Sequence, residues 1–513
     1  MFTLSLWQQI RQVALMHKQS IALCGLNGAN PITFENLVSQ VEELGLRLAR
    51  LPEPVIALMA DNGPSWIIAD LAAMVSNKCL LPLPGFFSRQ QLDHAMNDAG
   101  VSQLLTDASA DFLETGFIDV EPVLSSNTMM LMIRDPHEPK GLPQKTSRIT
   151  YTSGSTGTPK GVCLSEFQIQ AVTRSLVELT RSIEVRRHLC VLPLATLLEN
   201  IAGVYVPLLQ AATVVAPKLN QLGFQGSSGI DASLFMNTIL QSRAQSLIFT
   251  PQLLEVVLQA TDHGWKASTP FKFIAVGGGK ISAAALEKSR VSGLPVYEGY
   301  GLSESCSVVS LNTPGNAKPG SVGRPLSHLR VVIEEGEIII QGSEFPGYCG
   351  VQTAYPSTRL HTGDLGYLDL DGFLYINGRK KNILISSFGR NISPEWVEAE
   401  LSGIPGIHQC IVFGDAKPFC VALIRAADSI SDDILHLAIN KVNASLPDYA
   451  RILRWSRLTA PLSVQDQTLT SNGRLRRSVI AGRYASQIES MYGRNHPQVT
   501  ARILQSTQVS VTE

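Results

Sequence analysis

Short apolar runs alternate with amphipathic stretches through the first part of the chain. The runs VIALMA (residues 55–60) and CLLPLP (79–84) have the length and composition of buried strands. The stretches WIIADLAAMV (66–75) and SRQQLDHAMNDAG (88–100) have the apolar spacing of helices. Strands that alternate with helices are typical of βαβ units in a parallel sheet. The pattern therefore predicts an α/β layer over about residues 55–106.

The same alternation returns later in the chain. Each strand candidate is followed by a turn and then by a helical stretch, which predicts a second α/β layer. These candidates are HLCVLPL (188–194), ATVVAP (212–217), SLIFTP (246–251) and FKFIAVGGG (271–279).

The texture of the chain changes after residue 329. VVIEEGEIIIQG (331–342) and GYLDLDGFLYING (366–378) are short alternating strands with glycine-containing turns, which predict a small antiparallel sheet or barrel over about residues 329–378. A fresh mixed segment follows Gly378 and includes SPEWVEAEL (393–401) and FCVALIRAAD (419–428). We interpret it as a separate, smaller domain.

Composition excludes several classes of protein. The chain has 513 residues, so two or more cores are expected. Lys and Arg total 42 against 43 for Asp and Glu, which leaves no positive excess for binding nucleic acid. Hydrophobic residues make up 44% of the chain and charged residues 17%, below the roughly 25% usual for globular domains. Large cores are expected, and disorder as the main state is excluded.

The N-terminal pattern and the spacing of the cysteines predict that the protein is located in the reducing cytoplasm. Residues 1–18 have an amphipathic helical pattern in place of a signal-peptide core, so export is not expected. The apolar run 201–216 is too short for a membrane span and predicts a buried helix or strand pair. The eight cysteines form no CxxC pair, which favours buried thiols over disulfides or a zinc site.

The most informative stretch is TYTSGSTGTPKGV at residues 150–162. Its glycines allow close approach of the backbone, its amides and hydroxyl groups can donate to phosphate oxygens, and Lys160 supplies positive charge. A Walker A loop needs Gly-Lys-Ser/Thr, whereas here Pro159 precedes the lysine and Gly161 follows it. The stretch predicts a triphosphate-binding loop of another class.

This stretch closely resembles the signature of the adenylate-forming superfamily, which includes acyl-CoA synthetases, peptide-synthetase adenylation domains and luciferases. The resemblance implies that the loop binds ATP and that Lys160 takes part in catalysis. The nucleotide-binding residues implied in the loop are Thr152, Ser153, Gly154, Ser155, Thr156, Gly157, Thr158 and Lys160.

Two further elements follow in the order of the superfamily. GYGLSE (299–304) resembles its Tyr-Gly-x-Thr-Glu element, which implies that Tyr300 stacks on adenine, that the catalytic Ser303 lies near the α-phosphate, and that Glu304 is a catalytic Mg²⁺ ligand. A carboxylate beside phosphates suits this hard cation. AVGGGKIS (275–282) resembles the glycine-rich turn that lines the nucleotide and acyl cavity. The other implied nucleotide contacts are Gly277, Gly278, Gly299 and Gly301.

The resemblance continues through the predicted small β subdomain and into the predicted C-terminal domain. HTGDLG (361–366) resembles the TGD element, which implies that Asp364 accepts hydrogen bonds from the ribose hydroxyls. GRKK (378–381) resembles the domain junction, with Arg379 near the ribose and phosphate and Lys381 at the hinge. The next segment resembles the loop and helix of the thiol-acceptor channel, which implies that Gly389 lies near a pantetheine arm.

Two positions depart from the superfamily. Its C-terminal Gly-Lys pair contacts the carboxylate and α-phosphate, whereas this chain has Arg474 at the lysine position. Arginine is a longer planar fork and does not simply replace a compact ammonium. At the acyl site, Thr196 stands where an aromatic residue or histidine is common.

The resemblance covers essentially the whole chain. It implies an α/β architecture, with an adenylation domain of two α/β subdomains and a small β subdomain at residues 1–380, and a mobile α+β C-terminal domain at 381–513. The implied activity is that of an AMP-forming ligase of fatty acid metabolism, which joins a medium- or long-chain fatty acid to coenzyme A with ATP and Mg²⁺.

Other functions stay open at this point. An acyl carrier protein or another acceptor could take the place of CoA. A non-catalytic nucleotide-binding protein is the alternative from a different class, because Arg474 replaces the lysine. We expect neither a nucleic-acid partner nor a transmembrane segment, and peripheral contact with a membrane stays open.

Overall fold

The structure of the protein is a computed structural model. It describes residues 4–124, 129–136, 141–152, 160–225, 229–267, 269–351, 358–387, 390–470 and 473–493. The chain forms two compact units. The first comprises Met1–Gly279, Lys288–Thr362 and Tyr367–Tyr375, and the second comprises Lys280–Glu287, Gly363–Gly366 and Ile376–Glu513.

The first unit contains an eight-stranded sheet with parallel strands at its centre. Val55–Met59 is buried on both faces: Ile56 and Leu58 belong to one core cluster, and Val55 and Ala57 belong to another. Burial on both faces explains why this strand is apolar without alternation. The strands, in order across the sheet, are Gly347–Tyr348, Lys160–Ser165, Thr146–Thr152, Cys79–Pro82, Val55–Met59, Gln103–Thr106, Met130–Ile133 and Ile118–Pro122.

A nine-stranded sheet forms the second layer of this unit. Its six central strands are parallel, and antiparallel strands close both edges. All four strand candidates predicted for this layer lie next to one another in it. Across the sheet the strands are Arg324–Pro325, Ser310–Leu311, Val296–Tyr300, Phe273–Val276, Ser246–Phe249, Arg187–Leu189, Thr213–Val215, Ile21–Cys24 and Ile32–Thr33.

Local capping defines where several helices begin. Ser88 and Ser165 each form a capping box with a glutamine three residues later, which pairs otherwise unsatisfied amides. Pro64 and Pro251 occupy first helical positions, where no amide hydrogen is needed. The α-helices are Leu6–Met16, Phe34–Ala49, Pro64–Val75, Arg89–Asp98, Glu166–Thr180, Val206–Leu209, Ala232–Ser242, Pro251–Asp262 and Ala283–Val291. Shorter turns of 3₁₀-helix are Leu26–Gly28, Ser109–Thr115, Arg181–Ile183 and Ser303–Ser305, and Glu199–Tyr205 is a π-helix.

Two smaller sheets complete the strands before residue 380. A four-stranded sheet contains the predicted β-hairpins, in the order Arg330–Glu334, Glu337–Gln341, Arg359–Leu368 and Leu374–Arg379. A two-stranded sheet pairs Phe224–Gln225 with Gly229–Ile230.

The second unit has an α+β arrangement. Its three-stranded sheet has the order Ile407–Phe413, Cys420–Ala426 and Ile452–Arg457, with one antiparallel and one parallel pairing. Leu384–Ile385 pairs with Asn391–Ile392. The helices are Pro394–Ser402, Asp432–Ser445, Arg477–Arg483 and Ala485–Ser490, with a 3₁₀ turn at Asp448–Ala450.

The α/β class with a larger N-terminal and a smaller C-terminal part is confirmed. The apolar run 201–216 is resolved as helix followed by strand Thr213–Val215, in place of a strand pair. All eight cysteines are buried. In the described part of the chain, no helix is both long enough and apolar enough to cross a bilayer.

Candidate functional site

The predicted phosphate loop closes a β-hairpin of the eight-stranded sheet. Thr146–Thr152 and Lys160–Ser165 pair antiparallel, with Thr152 opposite Lys160 at the loop end of the hairpin. The strands therefore bring the two ends of the loop together. Six predicted loop residues lie outside the described residues, namely Ser153, Gly154, Ser155, Thr156, Gly157 and Thr158.

Tyr348 connects the predicted phosphate-binding lysine with the predicted metal ligand. Its hydroxyl donates to Oε1 of Glu304 at 2.9 Å, and Nζ of Lys160 lies 5.9 Å from its ring centroid. Tyr348 is placed by a short strand that pairs with Lys160–Ser165, where Tyr348 lies opposite Val162. A cation and a carboxyl group thus both contact one tyrosine side chain.

Two buried side chains fix the backbone at Glu304. Nε2 of Gln168 donates to the carbonyl oxygen of Glu304 at 3.1 Å, and the Ser343 hydroxyl donates to the same oxygen at 3.2 Å. Gln168 also belongs to the capping box with Ser165, directly after the strand that contains Lys160. The start of one helix therefore positions both the lysine strand and the candidate metal ligand.

The chain turns tightly between Tyr300 and Glu304. A Cβ at Gly301 would lie 1.5 Å from the carbonyl oxygen of Ser307, so only glycine fits this position. Ser303 and Glu304 then form a 3₁₀ turn that ends at Cys306. Burial raises the pKa of the Cys306 thiol to about 12, which keeps it neutral and unreactive at physiological pH.

The predicted glycine positions lie on adjacent strands of the nine-stranded sheet. Gly277 follows Phe273–Val276, and Gly299 is part of the neighbouring strand. A Cβ at Gly277 would lie 3.8 Å from the carbonyl oxygen of Gly299 and 3.6 Å from the Leu198 side chain. Gly278 is exposed and has a φ of +87°, a conformation that favours glycine.

Five predicted site residues belong to the second unit, and two of them form an ion pair. Nε of Arg379 donates to Oδ1 of Asp364 at 2.7 Å. Asp364 is buried, whereas the Arg379 side chain is half exposed. The resemblance implies a ribose contact for Asp364 and a place near the ribose and phosphate for Arg379, and the structure brings these two side chains together.

Lys381 and Arg474 are exposed residues of the second unit. Arg474 follows Gly473, whose φ is +74°, and the Arg474 amide donates to the Thr470 hydroxyl at 3.0 Å. The predicted acceptor-channel residue Gly389 lies outside the described residues.

Glu304 fits the chemistry expected of an Mg²⁺ ligand. Its carboxyl group is half-buried, and hard cations prefer such oxygen donors. Lys160, at the loop end of the hairpin, supplies a positive charge that could bind an anion near Glu304.

Tyr348, Gln168 and Ser343 were not predicted from the sequence. Tyr348 lies 44 positions after Glu304 in the chain. Only the pairing of a short edge strand with Lys160–Ser165 brings the tyrosine to the site, and no local motif indicates that pairing.

Comparison with known proteins identifies the family. The model of the AMP-binding enzyme family matches residues 10–348, and that of the AMP-binding enzyme C-terminal domain matches residues 381–496. The chain belongs to the AMP-binding enzyme family. This membership confirms the resemblance to the adenylate-forming superfamily.

Among curated relatives of this AMP-binding enzyme, the long-chain-fatty-acid–CoA ligase FadD15 of Mycobacterium bovis is 32% identical over 249 residues. That match spans 42% of this chain and only 41% of the length of the mycobacterial protein. The 2-succinylbenzoate–CoA ligase of Enterococcus faecalis is 30% identical over 406 residues, covering 75% of this chain and 80% of the relative.

Solved structures share the fold. The O-succinylbenzoate coenzyme A synthetase MenE from Bacillus subtilis, in complex with AMP, superposes with a TM-score of 0.73 at 24% identity. The match covers 93% of this chain and 98% of MenE. The anthranilate CoA ligase AuaEII has a TM-score of 0.75 at 15% identity, with 94% and 97% of the two chains covered.

Proposed function

We propose that this AMP-binding enzyme joins a carboxylic acid to the thiol of coenzyme A in two steps. A carboxylate oxygen attacks the α-phosphorus of ATP, the bond from that phosphorus to the bridging oxygen breaks, and pyrophosphate leaves. The CoA thiol then loses its proton and attacks the acyl carbon, and AMP leaves. Glu304 would hold Mg²⁺, which would supply neutralisation of phosphate charge.

One observation carries this proposal: Tyr348 contacts both charged residues, with its hydroxyl donating to Glu304 and its ring 5.9 Å from Nζ of Lys160. A triphosphate with its metal needs a cation and a carboxylate close together, which is what this arrangement provides. Catalysis would then rest on positioning and electrostatic stabilisation of the reacting groups. The solved MenE complex with ATP and a magnesium ion has the same fold, with a TM-score of 0.71.

The other roles are assigned within this proposal. Loop residues 153–158 bind phosphates, Tyr300 stacks on adenine, and Ser303 lies near the α-phosphate. Asp364 and Arg379 bind the ribose, and their ion pair orients both groups before the nucleotide arrives. Arg474 takes the place of the usual lysine beside the carboxylate and α-phosphate.

We assign the change from adenylation to thioester formation to a movement of the C-terminal part of the chain. Residues 381–513 form a mobile domain that turns about Lys381 relative to residues 1–380. Gly389 then lies near the pantetheine arm of CoA.

For the acid, we propose a medium- or long-chain fatty acid, in keeping with the fatty-acid ligase relatives. A 2-succinylbenzoate-type aryl acid is the second candidate, because several relatives with that name match much more of the chain. ATP–pyrophosphate exchange with a panel of both acid types tests the choice. We expect fatty acids to support ATP–pyrophosphate exchange. If only aryl acids support it, the substrate is an aryl acid and the fatty-acid assignment is wrong.

The acceptor needs a separate experiment. Thioester formation is measured with CoA and with acyl carrier protein after the accepted acid is known. We expect CoA to be the acceptor. If no acid in a broad panel supports exchange, the proposed enzyme activity is rejected in favour of a nucleotide-binding protein.

A further inference from the structure

A buried asparagine holds the backbone of the segment that leads to the acyl-site position Thr196. Nδ2 of Asn62 donates to the carbonyl oxygen of Leu192 at 2.9 Å. The amide of Leu194 donates back to Oδ1 of Asn62 at 2.8 Å. Asn62 is only 4% exposed, so water does not readily replace either bond. One side chain thus fixes two backbone groups of a segment 130 positions away.

A buried glutamate holds the same segment from a second direction. Oε2 of Glu199 accepts from the amide of Leu192 at 2.9 Å, and Oε1 lies 3.1 Å from Nε2 of His188. Nδ1 of His188 lies 2.8 Å from the Ser246 hydroxyl. Glu199 begins the π-helix, a form of helix that often occurs at functional sites. Leu192 is therefore held at its amide by Glu199 and at its carbonyl by Asn62.

The packing around Glu199 leaves little space. A Cβ at Gly203 would lie 2.1 Å from Oε1 of Glu199 and 2.8 Å from Nε2 of His188. Glycine at this position is what allows the two side chains to meet. The contact between His188 and Glu199 is thus built into the packing of the π-helix.

The residue types here also resemble a metal site, since ligand atoms of His188, Cys190 and Glu199 lie within 4.8 Å of one another. Both carboxyl oxygens of Glu199 already have partners. Burial raises the pKa of the Cys190 thiol well above its ordinary value, and Glu199 raises it further. Metals bind the thiolate, so the neutral thiol favours a structural network over a metal centre.

The segment leads directly to residues beside the predicted nucleotide and acyl cavity. The amide of Thr196 donates to the Pro193 carbonyl at 2.8 Å, and the amide of Asn200 donates to the Thr196 carbonyl at 3.1 Å. The Leu198 side chain lies next to Gly277, since a Cβ at Gly277 would be 3.6 Å from it. Displacement of residues 192–194 would therefore move Thr196 and Leu198.

We infer that Asn62 and Glu199 are positioning residues, which fix residues 192–198 and thereby the wall against which the carboxylic acid binds. The inference rests on the proposed ligase function. Both side chains act through the backbone of Leu192 and Leu194. Their loss should weaken use of the acid more than use of ATP, because the Lys160 and Glu304 contacts belong to other elements.

The main test is Asn62→Ala, with Asn443→Ala as a matched control. Asn443 is also buried and makes the same two-point contact, with the amide and carbonyl of Ile452. We expect Asn62→Ala to raise KM for the acid about tenfold while KM for ATP changes less than about twofold, since small misplacements of a positioning group impair productive binding. Asn443→Ala should change neither KM.

Hydrogen exchange followed by mass spectrometry tests the contact without relying on activity. The Leu194 amide should exchange faster in Asn62→Ala than in the wild type or in Asn443→Ala. Glu199→Gln is a second variant of similar volume and should release the Leu192 amide in part. Because both residues hold one segment, the double variant should raise the acid KM by less than the product of the single effects.

The outcomes separate this inference from the proposed function. A wild-type chain that activates no acid rejects the ligase proposal. An active wild type whose Asn62→Ala variant raises both KM values equally, or leaves the acid KM unchanged, overturns the positioning role alone. Slow exchange of the Leu194 amide in that variant would overturn it as well.

Discussion

The hydroxyl of Tyr348 donates to Oε1 of Glu304 at 2.9 Å, while its ring faces Nζ of Lys160 at 5.9 Å. The candidate metal ligand and the candidate phosphate cation therefore share Tyr348 as a neighbour. Gln168 and Ser343 both donate to the backbone carbonyl oxygen of Glu304, which fixes the position of this residue as well. Substitutions of Glu304 and of Lys160 test the negative and the positive charge separately.

We expect Glu304→Gln to lower Mg²⁺-dependent adenylation by a factor of about 10² to 10³, the scale for loss of one charge-stabilising group. The volume is nearly unchanged, and the amide oxygen can still accept from Tyr348, so the fold should persist. ATP–pyrophosphate exchange over a range of Mg²⁺ concentrations measures the effect. Glu43→Gln, at an exposed helical position, is the control. Exchange at the wild-type rate would show that the metal is held elsewhere.

Lys160→Ala should raise KM for ATP about tenfold, because it removes a charge-assisted contact while the hairpin backbone remains. Lys160→Arg keeps the charge and should recover much of the loss. Initial rates at varied ATP and a saturating acid concentration provide the measurement. An unchanged ATP dependence in the alanine variant would make Lys160 an ordinary surface residue.

Asp364→Asn tests the ribose assignment. The wild type should prefer ATP over 2′-deoxy-ATP by about tenfold, and the variant should lose most of that preference, because a carboxylate that accepts from hydroxyl groups is replaced by an amide. The control is Asp432→Asn, which weakens the Arg457 ion pair of the same unit. Equal discrimination in wild type and Asp364→Asn would contradict the assignment.

Much of the fold follows from local patterns, and the contacts at the site depend on tertiary structure. Val55–Met59 and Ser246–Phe249 are short apolar runs whose burial determines their composition, so they can be recognised from sequence. Tyr348 reaches Glu304 only through strand pairing, and Asn62 reaches Leu192 across 130 positions. Such contacts leave no periodic signal. The resemblance to the adenylate-forming superfamily predicts the charged residues of the site, and the structure shows which other residues contact and orient them.

Lys381→Pro addresses the proposed hinge. Proline fixes φ at about −65° and also restricts Lys380 before it, so a rotation about this position should be blocked. Adenylate formation should persist while thioester formation falls steeply. The two half-reactions are measured separately, by pyrophosphate exchange and by transfer from supplied acyl-adenylate. Lys381→Ala, which keeps the backbone free, is the control, and equal loss of both half-reactions in the proline variant would reject the hinge.

Arg474, an exposed residue, is proposed to take the place of the lysine that the resemblance leads us to expect. The backbone of Arg474 is held by Thr470: the Arg474 amide donates to the Thr470 hydroxyl at 3.0 Å, and the Arg474 carbonyl accepts from the Thr470 amide at 2.7 Å. If its guanidinium contacts the carboxylate and α-phosphate, Arg474→Ala should lower adenylation by about 10² to 10³. Transfer from supplied acyl-adenylate to CoA should change far less.

Arg474→Lys decides between two explanations for the arginine. A compact ammonium cannot reproduce the bidentate contacts of a planar fork, so adenylation should fall if the site has adapted to arginine. A sharp rise in adenylation would mean instead that the natural residue limits this step. Pyrophosphate exchange by both variants is compared with that of the wild type, at a temperature at which all three proteins are fully folded. If neither substitution changes adenylation, Arg474 is not the cation of the first step, and the charge that stabilises the reacting carboxylate must come from another residue.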